Sequence, residues 1–481
     1  MSRLSIAQHG MWITARTGAA TAYHMPVVIT LAETPDPGAL AEACRAVVAR
    51  HPLLGSAVEE RDGVPYFVPA VEQPSLGKAD SIAEAVAEPF DLERGPLVRF
   101  ALVGERTLVA VAHHLVFDGL SKDLLVADLA AALRGEALGE PAAAEQADGR
   151  GQRIEAALAE ATAHWAPRWH EPAGLTVPGG TLRSRAATAG EVLEFALEIP
   201  ELPGLTRFET LVAALHALLA SYGNAEVATA LDLSIRTETE ADRIGCYVNE
   251  LPLFSAASPD ASFAEFAAGL RAELRAAYRF REVPLARAVP GLRPHAALAP
   301  VSLSYRRLAG AASVEGLGEV EWLAFNGTVR GALQLQIAQA ESGSAVASLR
   351  HDPRELADAA GFARDLAALL AAVAAQPTQR LAELLPFAEP VALPAAPVVE
   401  AVTETTVAAD DPLVAQIRAI WEQVLDISPV EPDDDIFDLG GHSLTITQII
   451  ARMQQQLDVE ISLDDFFDNP TVAGVVAVIR S

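Results

Sequence analysis

The chain has 481 residues, 51% of them hydrophobic, a length that exceeds one ordinary core and predicts two or three globular domains. Its 35 basic and 64 acidic side chains leave a formal net charge of −29, so a phosphate backbone meets a repelling field and nucleic acid is not an expected partner. The two cysteines, Cys44 and Cys246, show no metal-ligand spacing, apolar stretches are broken before bilayer-spanning length, and the Met1-Ser-Arg-Leu-Ser start lacks a signal-peptide core; the expectation is a cytoplasmic protein without disulfide, metal or membrane span.

In chain order, Pro37 to Ala49 has helical spacing, Leu53 to Phe67 reads as strands, Val98 to His114 as a strand pair, and Ser121 to Arg134 as an amphipathic helix. A Gly-, Ala-, Glu- and Gln-rich loop from Gly135 to Gln152 precedes a helical run through Trp165 and Trp169. Similar elements then recur. Phe208 to Tyr222 and Phe263 to Arg279 are predicted helices, Ala225 to Ile235, Val301 to Tyr305 and Leu333 to Ile337 predicted strands, and Pro353 to Ala374 a long helix. This is a mixed α/β pattern, divided into two halves at 1–170 and 171–389.

Residues 390–410, rich in Pro, Ala, Val and Thr, have no period that buries a face and read as an extended linker. Residues 411–481 then form one small helical domain. Asp410-Asp411-Pro412 is a helix start, because carboxylates accept free backbone N–H groups and proline suits the first helical position. Further helices are expected from Ser443 and after Asn469-Pro470, giving a compact four-helix bundle. This segment carries 13 acidic and 3 basic residues, a face suited to basic partner surfaces.

Two strings carry chemistry. The first is His113-His114-Leu-Val-Phe-Asp118-Gly119, at the end of a buried strand and just before an amphipathic helix. Consecutive strand side chains face opposite ways, so one imidazole faces a cleft and the other is held inside. Asp118 either caps the next helix or pairs with an arginine from elsewhere. The second string is Asp438-Leu-Gly440-Gly441-His442-Ser443-Leu444, preceded by Asp-Ile-Phe437. Its glycines allow an open turn, and Ser443 falls at a helix N-terminus, where a phosphodiester is favoured.

The first string resembles the HHxxxDG motif of nonribosomal peptide synthetase condensation domains, relatives of chloramphenicol acetyltransferase. Ser5-Ile-Ala7-Gln8-His-Gly-Met-Trp12 is similar to the family's SxAQxxxW opening, Arg50-His51-Pro-Leu-Leu to its RHxxLR stretch, and Ile244-Gly245-Cys-Tyr-Val248-Asn249-Glu-Leu251-Pro252-Leu253 to IGxFVNTLPL. Ala230-Leu-Asp-Leu-Ser-Ile-Arg236 resembles a family strand that ends in arginine. The second string resembles the LGGxS motif of peptidyl carrier, or thiolation, domains. The resemblance implies two chloramphenicol-acetyltransferase-like lobes in a V-shaped pseudo-dimer with a tunnel between them. It implies that His114 faces the tunnel, that His113 and Asp118 are structural, with Arg236 as the partner of Asp118, and that a 4'-phosphopantetheine arm is attached to Ser443 by a phosphopantetheinyl transferase.

The implied activity is transfer of an acyl or peptidyl group from the thioester of an upstream carrier protein to an amine on the Ser443 arm. His114 serves as base or as positioning group, and the Gly119 backbone N–H is a donor to the oxyanion. Nothing in the chain resembles an adenylation domain, so an adenylation enzyme in trans is the expected loader. Two alternatives are release by transfer to a soluble amine or alcohol, and a noncatalytic lobe pair that recruits a tailoring enzyme to the carrier. Departures from the family pattern are Gly55, in place of the second arginine of RHxxLR, and Gly331-Ala332-Leu333, where relatives carry Phe-Asp-Leu.

Overall fold

The computed structural model describes residues 2–16, 21–140, 147–289, 291, 292, 296–308, 313–340, 343–390, 411–425, 427–437, 439, 441 and 443–480. Residues 391–410 of the linker predicted at 390–410, and Asp438, Gly440 and His442 of the serine string, lie outside the described residues.

The first lobe is built from α1 (Ile6–Arg16), β1 (His24–Leu31), α2 (Pro37–Arg50), β2 (Leu76–Ala79), β3 (Val98–Val103), β4 (Thr107–His113) and α3 (Gly119–Leu133). The second is built from α4 (Ala147–Trp165), β5 (Glu191–Glu198), α5 (Arg207–Ser221), β6 (Val227–Ser234), β7 (Val248–Ser255), α6 (Phe263–Tyr278), β8 (Val301–Arg307), β10 (Leu333–Gln339), β11 (Ser344–His351) and α7 (Ala359–Ala375), and the same stretch of sequence supplies β9 (Gly318–Glu321) to the first. Each lobe centres on a six-stranded sheet. In the second the order is β5-β11-β10-β8-β6-β7, with β6, β8 and β10 parallel and the outer pairs antiparallel. In the first, the order is Ser313–Val314, β9, β1, β4, β3, β2. β9 comes from the second half of the sequence, so a strand of one half completes the sheet of the other.

Long-range pairing changes where the halves divide. α4 was expected with the first half, yet Ala161 and Trp165 are buried in the core of the second lobe, with Leu211, Leu215 and Phe263. Conversely Ile244, Leu317, Val320 and Trp322 are buried in the core of the first, with Val27, Val47 and Leu108. Helical spacing reports that a face is buried and is silent about which core receives it. The long helix expected from Pro353 begins at Ala359, because Asp358 caps it by accepting from the Gly361 N–H at 2.7 Å.

The C-terminal segment holds α8 (Pro412–Leu425), α9 (Ser443–Leu457), α10 (Leu463–Asp468) and α11 (Val472–Arg480) around its own core, where Trp421 stacks on Phe466 with centroids 5.6 Å apart. Asp411 Oδ1 accepts from the Leu413 N–H at 2.9 Å at the start of α8. No described helix is long and apolar enough to cross a membrane.

Candidate active site

β4 lies between β1 and β3, and every residue from Leu108 to His113 is buried, as befits a central strand covered on both faces. The strand ends at His113. A 3-10 turn over His114–Val116, wedged by the buried Leu115, Val116 and Phe117, then carries the chain to Asp118 at the N-cap of α3.

His113 is fully buried, and its Nδ1 accepts from the Leu115 N–H at 3.2 Å. That bond sets the neutral tautomer, and burial beside His24 holds the imidazole well below its ordinary pKa. His114 is only half-buried. It lines a cavity of about 500 Å³ between the lobes, together with Tyr23, Gly119, Asp232, Glu250 and Ser304. The Tyr23 ring meets His114 edge-on at 6.2 Å, and the Tyr23 carbonyl accepts the His114 N–H at 2.8 Å. Cys246 Sγ lies 3.9 Å from Nδ1, which leaves Nε2 as the nitrogen without a hydrogen-bond partner among the described residues. Burial lowers the His114 pKa from 6.5 and the Asp118 carboxylate partly opposes this, so the ring is neutral at neutral pH.

Asp118 does not face the cavity with a free carboxylate. Its Oδ1 accepts from Arg236 Nη2 (2.7 Å), Ser121 N (2.8 Å) and Ser121 Oγ (2.8 Å), and its Oδ2 from Arg236 Nε (3.0 Å) and Tyr247 N (3.1 Å). Arg236 also donates to the Glu240 and Arg243 carbonyls and lies over the Tyr247 ring at 4.4 Å. The pair is 2% and 6% exposed, and such a buried charge pair persists only when its remaining hydrogen-bonding capacity is used in this way. Because Asp118 belongs to the first lobe and Arg236 to the second, the pair also ties the lobes behind His114. Gly119 opens α3 on the cavity side, where the first N–H groups of a helix have no partner within it.

At the other string, Gly441 donates its N–H to the Ile436 carbonyl at 2.8 Å, and a Cβ there would fall 2.6 Å from that oxygen. Only glycine permits this turn, which delivers the chain to Ser443, the first residue of the 15-residue α9. A serine at a helix N-terminus after an open glycine turn fits a phosphodiester-linked group. α9 lies against the first lobe: Thr447 Oγ1 is 3.3 Å from His9 Nε2, and His9 belongs to α1, whose Ile6, Ala7 and Met11 line the His114 cavity.

The structure thus brings together His114 and Gly119 in the cavity wall, His113 and the Asp118–Arg236 pair behind it, and Ser443 at a helix start. Asn249 also lines this cavity, where its side-chain amide donates to the Arg281 and Val283 carbonyls at 2.9 and 3.0 Å. Sequence reasoning missed Tyr23, the contact of Cys246 with His114, and the charged groups Asp232, Glu250 and Arg330. For the last three a signal existed: charges interrupting apolar strand patterns. Among the described residues no group of three or more His, Cys, Asp or Glu side chains is placed to hold a metal ion.

Comparison with known proteins gives two family matches, a Condensation domain over residues 1–389 and a Phosphopantetheine attachment site over residues 415–479. A probable non-canonical nonribosomal peptide synthetase of Salinispora arenicola is 30% identical over 335 residues, covering 61% of this chain and 4% of that protein. The chain therefore spans a small part of this curated relative. The X-domain from teicoplanin biosynthesis superposes with a TM-score of 0.65 at 22% identity, covering 79% of this chain and 96% of that one. The first condensation domain of the calcium-dependent antibiotic synthetase, in complex with a substrate analogue, gives 0.63 at 19%, covering 79% and 98%. These likenesses establish a shared fold.

Proposed function

The chain belongs to the condensation-domain family and carries a phosphopantetheine attachment domain behind it, and on that premise we propose that it is a condensation–carrier didomain of a nonribosomal peptide synthetase. It transfers an acyl or peptidyl group from an upstream carrier's thioester to an amine acceptor presented by its own carrier domain. The observation that carries the reading is His114, a half-buried neutral imidazole in the wall of the interlobe cavity.

An amine that attacks a thioester carbonyl must lose a proton as the carbonyl oxygen becomes an oxyanion. His114 Nε2 accepts that proton or holds the amine in line, and the N-terminus of α3 at Gly119 donates to the oxyanion. The proton then returns to the departing thiolate. Asp118, saturated by Arg236 and Ser121, keeps the turn that carries His114 in place. Ser443 is the attachment point of the arm, which when bound supplies the thiol that carries the acceptor. The contact of Thr447 with His9, on the helix that lines the cavity, supports a tethered acceptor over a soluble one. The upstream carrier, an adenylation activity that loads the arm and a phosphopantetheinyl transferase are the partners this reading requires, and its compartment is the cytoplasm.

Intact-protein mass spectrometry after incubation with coenzyme A and a phosphopantetheinyl transferase tests the carrier half, with Ser443→Ala expected to remain unmodified. Acyl transfer from a loaded upstream carrier tests the rest. His114→Ala is expected to slow it by about 10²–10⁴-fold. Undiminished transfer would remove His114 from the reaction and favour recruitment over catalysis.

A further inference from the structure

Across the second lobe's sheet, strand register places four polar side chains in one row on the cavity face. Glu250 of β7 is opposite Asp232 of β6, Asp232 pairs with Ser304 of β8, and Ser304 with Gln336 of β10; all four line the His114 cavity. Strands lie about 4.8 Å apart, so the row presents neighbouring hydrogen-bonding groups at that spacing. Among the described residues only one end of the row is engaged. Arg330 grips Glu250 in a fork at 3.0 and 3.1 Å, whereas Asp232, Ser304 and Gln336 have no side-chain hydrogen bond among the described residues. The row is near the reaction centre, since Tyr23, whose ring meets His114, carries a hydroxyl within electrostatic reach of Arg330, Glu250 and Asp232.

Charge decides what completes the row. The Arg330 fork neutralises Glu250, which among the described residues leaves the second carboxylate, Asp232, without a cation of its own in a partly desolvated wall. Burial and then the Glu250 carboxylate push Asp232 up to about 7, against the opposing pull of Arg330. A neutral donor would leave that charge uncompensated; a cation with several N–H donors would pair with it and use the adjacent hydroxyl and amide oxygens.

We propose that Asp232, with Ser304 and Gln336, forms an ammonium-binding subsite that selects the acceptor. The ammonium comes either from a second, non-reacting amine of the acceptor or from the reacting amine before it is deprotonated. This rests on reading the cavity as the acceptor chamber, but its test requires neither the arm nor acyl transfer.

Calorimetric titration of the full chain with ornithinamide, norvalinamide and pentanamide separates the sources, because these probes carry two, one and no amines on one carbon skeleton. Tenfold or tighter binding of ornithinamide than norvalinamide, lost in Asp232→Asn and kept in Asp232→Glu, identifies the second amine. A gain of norvalinamide over pentanamide that is lost in Asp232→Asn, with nothing added by ornithinamide, identifies the reacting amine. Equal binding of all three probes, or a preference that Asp232→Asn leaves intact, overturns the subsite. Normal transfer with no such preference would refute the subsite alone, whereas an Asp232-dependent preference without any transfer would refute the proposed reaction alone.

Discussion

His114 and His113 are neighbours in sequence with opposite surroundings, and the difference lies in one backbone turn. His113 ends a buried strand, while His114 starts the 3-10 turn and reaches the cavity. Burial lowers the His114 pKa, so its neutral form persists below pH 6.5 and is lost only as pH falls through the depressed value. The acidic limb of the acyl-transfer profile is therefore expected below 6.5; a limb at or above it would show that another group controls the rate. His216 makes the corresponding prediction for stability. It is buried between Ser255 Oγ (2.7 Å) and Thr229 Oγ1 (2.8 Å), and burial lowers its pKa from 6.5 to about 3. As pH falls below 6.5 the unfolded chain takes up a proton that the folded one refuses, so the folded form loses stability, by about 2 kcal/mol at pH 5. Urea midpoints measured from pH 7 to 5 should fall less steeply in His216→Gln than in the parent protein.

At the level of elements, the strand that crosses between halves is the sensitive one. β9 pairs with β1 from Gly318↔Leu31 to Glu321↔Val28, and it starts at a glycine with φ of 139°. A Cβ at Gly318 would lie 2.1 Å from the Thr30 carbonyl oxygen. Gly318→Ala is thus expected to cost about 1–3 kcal/mol, with faster hydrogen exchange at Val28–Leu31 and no comparable change in β10 or β11. Unchanged protection of β1 would mean that β9 contributes little to the sheet. The helices show how far local chemistry reaches. Asp118, Thr206, Ser262 and Asp358 each cap the helix that follows them, and α5 and α6 start with capping boxes, so those starts are written into a few adjacent residues.

For the molecule as a whole, the Asp118–Arg236 pair joins the lobes directly behind the turn that carries His114. Arg236→Ala removes the guanidinium and leaves Asp118 buried without its counter-charge, which is expected to cost about 3–5 kcal/mol of apparent stability. The loss should appear both as a lower thermal midpoint and as slower acyl transfer, because the same carboxylate holds the His114 turn. A variant with normal stability and normal transfer would mean that Asp118 finds adequate compensation from Ser121 and Tyr247.

The order of domains, the histidine and serine strings and most helices and strands were legible in the chain by itself, because capping, periodicity and short motifs act over a few residues. Even the partnership of Asp118 with Arg236 was legible through family resemblance, although 118 positions separate them. What required the tertiary structure was every relation set by long-range packing: the α4 helix buried in the second core, β9 inserted into the first sheet, and Cys246 and Tyr23 placed against His114. The row from Glu250 to Gln336 is of the same kind. Strand register brings together residues from four distant segments, and no local pattern records which strands become neighbours or which of their charges remain uncompensated at the cavity wall.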